Sequence, residues 1–236
     1  MFSLDDLKEE FEKIQKKLGV EFKDRSLLFL AFVHSSYVNE NKKLVQEHNE
    51  RLEFLGDAVL ELLISDFLYR KFPKSTEGDL TLIRSSLVDA AACICFIQKL
   101  GLDQYMLLGK GEKLSERGRE TILSGLFEAL IGAIYLDGGW EQAKTFLFDT
   151  FADDIQKIIE KPQANFKAEL QSYTQKHFSQ TPHYKILEES GPDHNKQFVV
   201  GAFLAEKKLA LGEGSNKKEA EQKAAQNALQ ALKEKP

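Results

Sequence analysis

The sequence predicts two unlike domains, an all-α domain followed by a small α+β domain. Through residue 160 the apolar residues recur at helical spacing, whereas short runs typical of strands follow residue 162. The charge divides at the same place: residues 1–160 carry 20 Lys and Arg against 28 Asp and Glu, a net of −8, and residues 161–236 carry 12 against 9, a net of +3. Such asymmetry indicates different tasks. We expect a helical domain over 1–160, a linker over 161–164 and a second domain over 165–236.

Helical periodicity accounts for most of the first domain. A central helix is indicated by Leu55, Val59, Leu62 and Leu63. Pro73 interrupts the pattern, and the next helix is expected to begin after a loop that ends at Asp79 as the N-cap. The other expected elements are a helical stretch over 80–100, a loop over 109–119, a helix over 120–136, a turn at Gly138 and Gly139, and a last helix to about residue 160.

The second domain has the predicted order α-β-β-β-α. An amphipathic helix carries Phe166, Leu170 and Tyr173, and a final helix begins after Asn216 as N-cap, with Glu219 as the expected partner in a capping box. Between the two helices, the sequence predicts three strands, over 183–189, 197–204 and 207–211.

Composition excludes several classes of protein. The longest apolar run, residues 90–97, has eight residues, far short of the roughly 20 that cross a membrane, and the acidic start does not resemble a secretory signal. Cys93 and Cys95 cannot build a disulfide framework, and a C-x-C pair without a nearby histidine is a poor zinc site. We expect a reduced, cytoplasmic protein with no membrane segment.

An acidic helix face is the most informative feature of the first domain. Glu50, Glu53 and Asp57 lie at i, i+3 and i+7, so their side chains project from one face, while the following turns are apolar. Carboxylates next to a core repel each other unless a cation compensates them, and Mg²⁺ prefers such oxygen ligands. The alternative is a surface helix with solvated acids. Gly56 favours function, because glycine inside a helix costs about 1 kcal/mol and indicates close approach of another backbone.

The run Glu50-Arg51-Leu52-Glu53-Phe54-Leu55-Gly56-Asp57-Ala58-Val59-Leu60 resembles the signature of bacterial ribonuclease III. The resemblance extends to the segments 34–37, 77–80 and 128–133 and to the C-terminal domain. It implies a helical endonuclease domain that forms a homodimer, followed by a double-stranded RNA-binding domain. The implied chemistry is Mg²⁺-dependent hydrolysis of double-stranded RNA, with Mn²⁺ as a substitute ion, to products with 5′-phosphates and short 3′ overhangs.

The resemblance also implies roles for individual acids. Glu53 matches a metal ligand, Asp57 a metal-organising catalytic carboxylate and Glu128 the second-helix ligand most closely tied to catalysis. Glu50 and Glu77 match supporting acids near the cleavage site. For Glu77 the alternative is an ordinary role at a helix start.

One departure from the family pattern concerns the second catalytic helix. The family pattern is Ala-Asp-x-x-Glu-Ala, whereas this chain has Ser124-Gly125-Leu126-Phe127-Glu128-Ala129. Gly125 therefore stands at the position of an expected metal-binding aspartate and offers no ligand. The alternative function is a catalytically weakened or inactive double-stranded RNA-binding protein of the same fold.

The C-terminal domain carries a basic helix start. Lys217 and Lys218 lie in the first turn of the last helix, where the helix dipole disfavours cations unless a phosphate approaches. This pattern resembles the third contact region of a double-stranded RNA-binding domain, which reads duplex shape across two minor grooves. By position in that family, the further RNA contacts are Gln171, His194 and Lys223, and Glu221 stands where many such domains have a third lysine.

The leading hypothesis is a cytoplasmic, homodimeric endoribonuclease that matures ribosomal RNA precursors and degrades structured transcripts. A hypothesis that sets the resemblance aside, an acidic helical scaffold with an unrelated α+β domain, predicts no RNA binding.

Overall fold

A computed structural model describes residues 4–110, 115–160, 166–191 and 196–233, with only the backbone of residues 116 and 117. The chain separates into two compact units, Met1–Pro162 and Gln163–Pro236, which are considered individually below. The predicted linker over 161–164 lies outside the described residues.

The first unit is helical, as the periodicity predicts. The described elements are α1 (Leu4–Glu9), α2 (Phe11–Leu18), α3 (Arg25–Ala31), α4 (Ser35–Glu40), α5 (Glu50–Lys71), α6 (Glu77–Leu87), α7 (Ala90–Leu100), a 3-10 turn (Asp103–Tyr105) and α8 (Glu116–Glu160).

The core of this unit forms where α5 and α8 cross. Both helices bury long apolar side chains there, among them Leu60 and Ile64 of α5 and Phe127 and Ile131 of α8. The backbones meet at two glycines: a Cβ at Gly56 would lie 1.8 Å from the Glu128 carbonyl oxygen, and a Cβ at Gly132 would lie 2.3 Å from the Leu52 carbonyl oxygen. The close backbone approach predicted from Gly56 is therefore confirmed.

Three local predictions in this unit were wrong. Thr76, not Asp79, is the N-cap of α6, and Asp79 closes a capping box by accepting from the Thr76 backbone N–H at 3.1 Å. The predicted helical stretch over 80–100 is two helices, because the Asp89 side chain caps α7 through the Ala92 N–H at 2.8 Å. The helix expected from residue 120 begins at Glu116.

The predicted turn near residue 139 is confirmed. Gly139 has φ 76° and ψ −169°, a conformation open to glycine, and it breaks α8 into two helical parts. In the described part of the chain, one helix, Gly118–Glu160, is long and apolar enough to cross a membrane. Of its most apolar stretch 61% is buried inside the protein, as in the core helix of a folded domain.

The second unit has the predicted order of elements: α9 (Phe166–Phe178), β1 (His183–Ser190), β2 (Gln197–Leu204), β3 (Lys207–Gly214) and α10 (Lys217–Lys233). The strands form an antiparallel sheet in the order β1-β2-β3. Leu170 of α9, Phe198 and Val200 of β2, and the alanine stripe Ala220, Ala224 and Ala228 of α10 form its core.

The end of β3 and the start of α10 differ in detail from the prediction. β3 continues through Gly214 because Gly212 lets the strand lie against α10, where a Cβ would be 2.1 Å from the Ala224 nitrogen. Asn216 is the N-cap as predicted and accepts from the Glu219 N–H at 2.9 Å. The Glu219 carboxylate, however, accepts from the backbone N–H of Ser215 at 2.9 Å rather than from Asn216.

Candidate functional site

The acidic face of α5 begins in its first turn. Glu50 and Asp57 are exposed, whereas Glu53 between them is half-buried against the domain. Both Glu50 and Asp57 raise the pKa of Glu53 through like-charge repulsion, in addition to the larger effect of burial. The predicted grouping of these three acids on one face is therefore present in the structure.

Glu128 brings a carboxylate from α8 to the same place. The crossing at Gly56 sets the Glu128 backbone directly against α5, and the Glu128 side chain is half-buried. The Ser124 hydroxyl, one turn earlier on α8, donates to Glu128 Oε1 at 3.3 Å.

Glu128 is the most strongly perturbed acid in this group. Burial, followed by repulsion from Asp57 and Glu53, raises its pKa to about 7, while the hydrogen bond from Ser124 acts in the opposite direction. Without a cation, the Glu128 carboxyl therefore keeps its proton to a much higher pH than an ordinary glutamic acid does.

The group contains acids without a protein cation. Among the described residues, no Lys or Arg forms an ion pair with Glu53, Asp57 or Glu128. Hard oxygen donors whose mutual repulsion is left uncompensated fit a divalent cation chemically. No group of three ligands is already arranged around one point in the part of the chain that the structure describes, so binding would require these side chains to converge.

Glu77 lies on a different helix, α6. It is exposed in the first turn of α6 and accepts a hydrogen bond from the Thr81 hydroxyl at 3.0 Å. Its charge is not among those that shift the pKa of Glu53 or Glu128.

Gly125 lies inside the acidic group. A Cβ at this position would be 2.7 Å from Glu53 Oε2, so the Glu53 carboxylate occupies the space where a side chain at position 125 would begin. The residue type expected from the family is missing, but the position is the one at which that aspartate would meet Glu53.

In the second unit, the predicted RNA contacts within the described residues are all at the surface. Gln171 on α9 and Lys217, Lys218 and Lys223 on α10 are exposed. Lys217 Nζ lies 5.7 Å from the Phe198 ring centre, and Lys223 Nζ lies 3.3 Å from Glu219 Oε1. His194 lies outside the described residues.

Matches to family models correspond to these two units. The model described as Ribonuclease-III-like matches residues 24–155, and the one described as Double-stranded RNA binding motif matches residues 166–232. A protein named Ribonuclease 3 from Protochlamydia amoebophila is 56% identical over 217 residues, which cover 92% of this chain and 89% of that protein. The chain belongs to the ribonuclease III family. A second Ribonuclease 3, from Geobacillus thermodenitrificans, is 46% identical over 225 residues, or 95% of this chain and 92% of that protein.

Solved structures of ribonuclease III match the first unit. The nuclease domain of ribonuclease III from Campylobacter jejuni aligns with a TM-score of 0.54 at 40% identity, covering 62% of this chain and 96% of that one. Another structure of that nuclease domain gives a TM-score of 0.53 at 39% identity, covering 65% and 97%. The resemblance inferred from the motifs and the predicted fold class are both confirmed, and ribonuclease III nucleases depend on a divalent metal.

Two residues next to the predicted ribonuclease III positions were missed in the sequence. Ser124 donates a hydrogen bond to Glu128, and nothing in the local sequence pattern predicts this contact. Lys167 of α9 pairs with Glu221 of α10, with 2.5 Å between Nζ and Oε2. No local sequence pattern predicts the ion pair of Lys167 with Glu221, because the two residues are 54 positions apart.

Proposed function

We propose that this protein is an endoribonuclease that hydrolyses double-stranded RNA at the acidic group formed by α5 and α8, with Mg²⁺ as its ion and Mn²⁺ as a substitute. The observation that carries the proposal is the pair of half-buried carboxylates, Glu53 and Glu128, held across the glycine crossing with no ion-pair partner among the described residues. Acidic side chains without a functional role are normally paired with a cation or exposed to water, whereas groups with strongly shifted pKa values are concentrated at functional sites.

Glu53, Asp57 and Glu128 would hold the ion, and Glu50 would add negative charge beside it. A divalent cation bound there supplies a Lewis acid that activates water and offsets phosphate charge. The protein's own contribution is to fix the carboxylates on two rigid helices and to release the proton of Glu128. Because ligands must be deprotonated, affinity for the ion is expected to rise with pH through the Glu128 pKa of about 7. Glu77, on α6, would act on the RNA near the site rather than on the ion.

The second unit would supply the RNA affinity. Lys217 and Lys218 at the start of α10 combine with free backbone N–H groups to bind phosphates across the major groove, with Lys223 as a weaker addition. Gln171 and His194 would reach the two flanking minor grooves. Such contacts read the shape of a duplex and not its sequence.

We further propose that two copies act together as a homodimer. Phe54, Leu62 and Tyr69 form an exposed apolar stripe along α5, at 81%, 59% and 73% exposure, and Leu136 lies near Phe54 beside a groove of about 920 Å³. Exposed apolar surface of this kind marks an interface. A region involved in dimer formation is described for the nuclease domain of ribonuclease III from Campylobacter jejuni. Two acidic groups in one dimer would cut both strands and leave the short 3′ overhangs and 5′-phosphates expected for the family.

A reducing cytoplasm is the proposed compartment, with ribosomal RNA precursors and structured transcripts as substrates. Cys93 is buried with a strongly raised thiol pKa, Cys95 is exposed, and both are free thiols.

The direct test is incubation of the full chain with a long RNA duplex over a Mg²⁺ series, with gel shift and cleavage followed in parallel. We expect a shift without added metal and cleavage to 5′-phosphate products when Mg²⁺ is added. Glu128→Gln should bind RNA equally and not cleave it. Binding by the unaltered chain without cleavage at any Mg²⁺ concentration, restored in Gly125→Asp, would support the binding-only alternative. No shift even at low salt, where phosphate contacts are strongest, would contradict both.

A further inference from the structure

Two adjacent residues of α8, Ser124 and Gly125, lie one turn before Glu128. Gly125 stands where the family usually has an aspartate. Both positions are buried at the α5–α8 crossing. The position that lacks the family's carboxylate therefore stands next to a buried hydroxyl in the same turn.

The change at Gly125 makes room for Glu53. Oε2 and Cδ of Glu53 lie 2.7 and 2.9 Å from the place where a Cβ would stand. The carboxylate of the α5 acid thus rests directly on the backbone of α8. A side chain at position 125 would require Glu53 to swing outward, which the free end of a flexible side chain can do.

Ser124 gives Glu128 a hydrogen-bond donor. The serine is only 8% exposed, and its hydroxyl donates to Glu128 Oε1 at 3.3 Å. Alanine at this position would leave the same carboxylate oxygen without that donor.

We propose that Ser124 is a positioning residue for Glu128 and that it offsets the carboxylate missing at Gly125. This inference rests on the proposed binding of a divalent cation by Glu53, Asp57 and Glu128. With four carboxylates, each ligand has several others to define the ion's position. With three carboxylates, the orientation of each ligand matters more. A donor that already holds the Glu128 side chain in place lowers the conformational entropy that is lost when the ion binds. Glu53, whose carboxylate lies over Gly125, would hold the ion in place of the absent aspartate.

The test is a double-mutant cycle on Mn²⁺ affinity, measured by calorimetry on the full chain without RNA. The four proteins are the unaltered chain, Ser124→Ala, Gly125→Asp and the double variant. Ser124→Ala is expected to weaken Mn²⁺ binding about 10-fold, the usual scale for losing a hydrogen bond to a metal ligand. In the Gly125→Asp background the same change should cost less than about 2-fold, since the aspartate restores the fourth ligand.

Ser86→Ala is the matched control. Ser86 is also a buried serine of this unit, and its hydroxyl donates to the Leu82 carbonyl at 3.4 Å, away from the acids. It should leave Mn²⁺ affinity unchanged. Thermal unfolding without metal establishes that each variant is folded.

A kinetic measurement separates positioning from a merely structural role. Cleavage by Ser124→Ala should fall at low Mn²⁺ and recover at saturating Mn²⁺, with KM for RNA unchanged. An equal loss of Mn²⁺ affinity in both backgrounds, or no loss in either, would overturn the inference. If the cycle shows the expected coupling but the unaltered chain cuts no RNA, the proposed function fails while the role of Ser124 stands.

Discussion

The acidic group of the nuclease unit and the charged surface of the RNA-binding unit handle charge in opposite ways. In the nuclease unit, Glu53 and Glu128 are half-buried and have like charges as neighbours. In the RNA-binding unit, charges lie near the surface in opposite pairs, with N–O distances of 2.5 Å for Lys167–Glu221 and 2.8 Å for Lys196–Glu189. The first arrangement is unfavourable for folding, and its charge fits a cation from outside the chain. In the second arrangement the paired charges neutralise one another, so the lysines outside these pairs are the ones available to bind the phosphates of RNA.

This contrast clarifies the two departures from the family patterns. At Gly125 a negative charge is missing from a place already crowded with negative charge, and Glu53 occupies the space. At Glu221 a negative charge replaces a lysine, and Lys167 neutralises it. At each position a residue that is close in space compensates for the departure, so the effect of neither departure can be predicted from its own motif.

The largest effect should follow from removing the unpaired acid. Glu128→Gln is expected to lower the cleavage rate by about 1,000-fold or more, because the metal loses a ligand that no other described side chain replaces. Affinity for duplex RNA, measured by gel shift in EDTA, should stay within about 2-fold. If cleavage survived in Glu128→Gln, the assignment of the site to the α5–α8 crossing would be wrong.

Filling the helix crossing should be the next largest effect. Gly56→Ala places a methyl group on the Glu128 carbonyl and is expected to lower the free energy of unfolding by about 3 kcal/mol. Gly78→Ala is the control, since the nearest atom to its Cβ would be Thr76 Oγ1 at 3.9 Å. That change should be neutral or stabilise by up to about 1 kcal/mol. Urea denaturation of both variants makes the comparison, and equal destabilisation would contradict the close contact.

The pH dependence of stability should expose the uncompensated acids. Folding raises the pKa of Glu128 from 4.5 to about 7, so between these values the folded chain binds a proton that the unfolded chain releases. The free energy of unfolding should therefore fall as pH rises from about 4.5 to 7, by about 1 to 2 kcal/mol, because the carboxylate keeps contact with solvent. Urea denaturation in EDTA at pH 5 and pH 8 measures it. Glu128→Gln should lose this part of the pH dependence. An unchanged slope of the free energy of unfolding against pH in that variant would contradict the raised pKa of Glu128.

In the RNA-binding unit, a lysine with no ion pair among the described residues should matter more than a paired one. Lys218→Ala is expected to weaken duplex binding about 5- to 10-fold and to reduce the slope of log K against log salt by about 1. Lys223→Ala should have a smaller effect, since its ammonium lies 3.3 Å from the Glu219 carboxylate. Binding titrations at several salt concentrations make the comparison, which fails if the two variants behave alike.

The smallest effect is expected at the pair between α9 and α10. Glu221→Gln removes the partner of Lys167 and should destabilise the unit by less than about 1 kcal/mol, the usual scale for such pairs. Thermal unfolding measures this change. A similar loss in Glu213→Gln, an exposed acid on β3, would show that the pair contributes nothing specific.

Most of the fold followed from local patterns, and the errors share a cause. The period of apolar residues found α5 and α8, and a short apolar run found β2 at its observed ends, Gln197–Leu204. The break between α6 and α7 was missed because an apolar period continues through it, while the Asp89 cap decides the boundary. The length of β3 was missed because Gly212 and Gly214 are turn residues locally, and only contact with α10 makes them part of a strand.

Some residues of the candidate site could be predicted from local spacing, whereas others depend on contacts between distant parts of the sequence. Glu50, Glu53 and Asp57 could be grouped from spacing on one helix. Glu128 could be joined to them only through the family resemblance, because 71 residues separate it from Asp57 and the crossing that unites them is tertiary. The hydrogen bond of Ser124 and the pair of Lys167 with Glu221 depend on side-chain positions that no spacing rule contains.

The contact between Gly56 and Gly132 has a consequence for how such a site can change over time. The separation of the two helices is fixed by backbone atoms touching backbone atoms, and none of the acidic side chains takes part in it. A substitution among the acids therefore alters the chemistry without moving the frame, whereas a substitution at either glycine would move every acid at once.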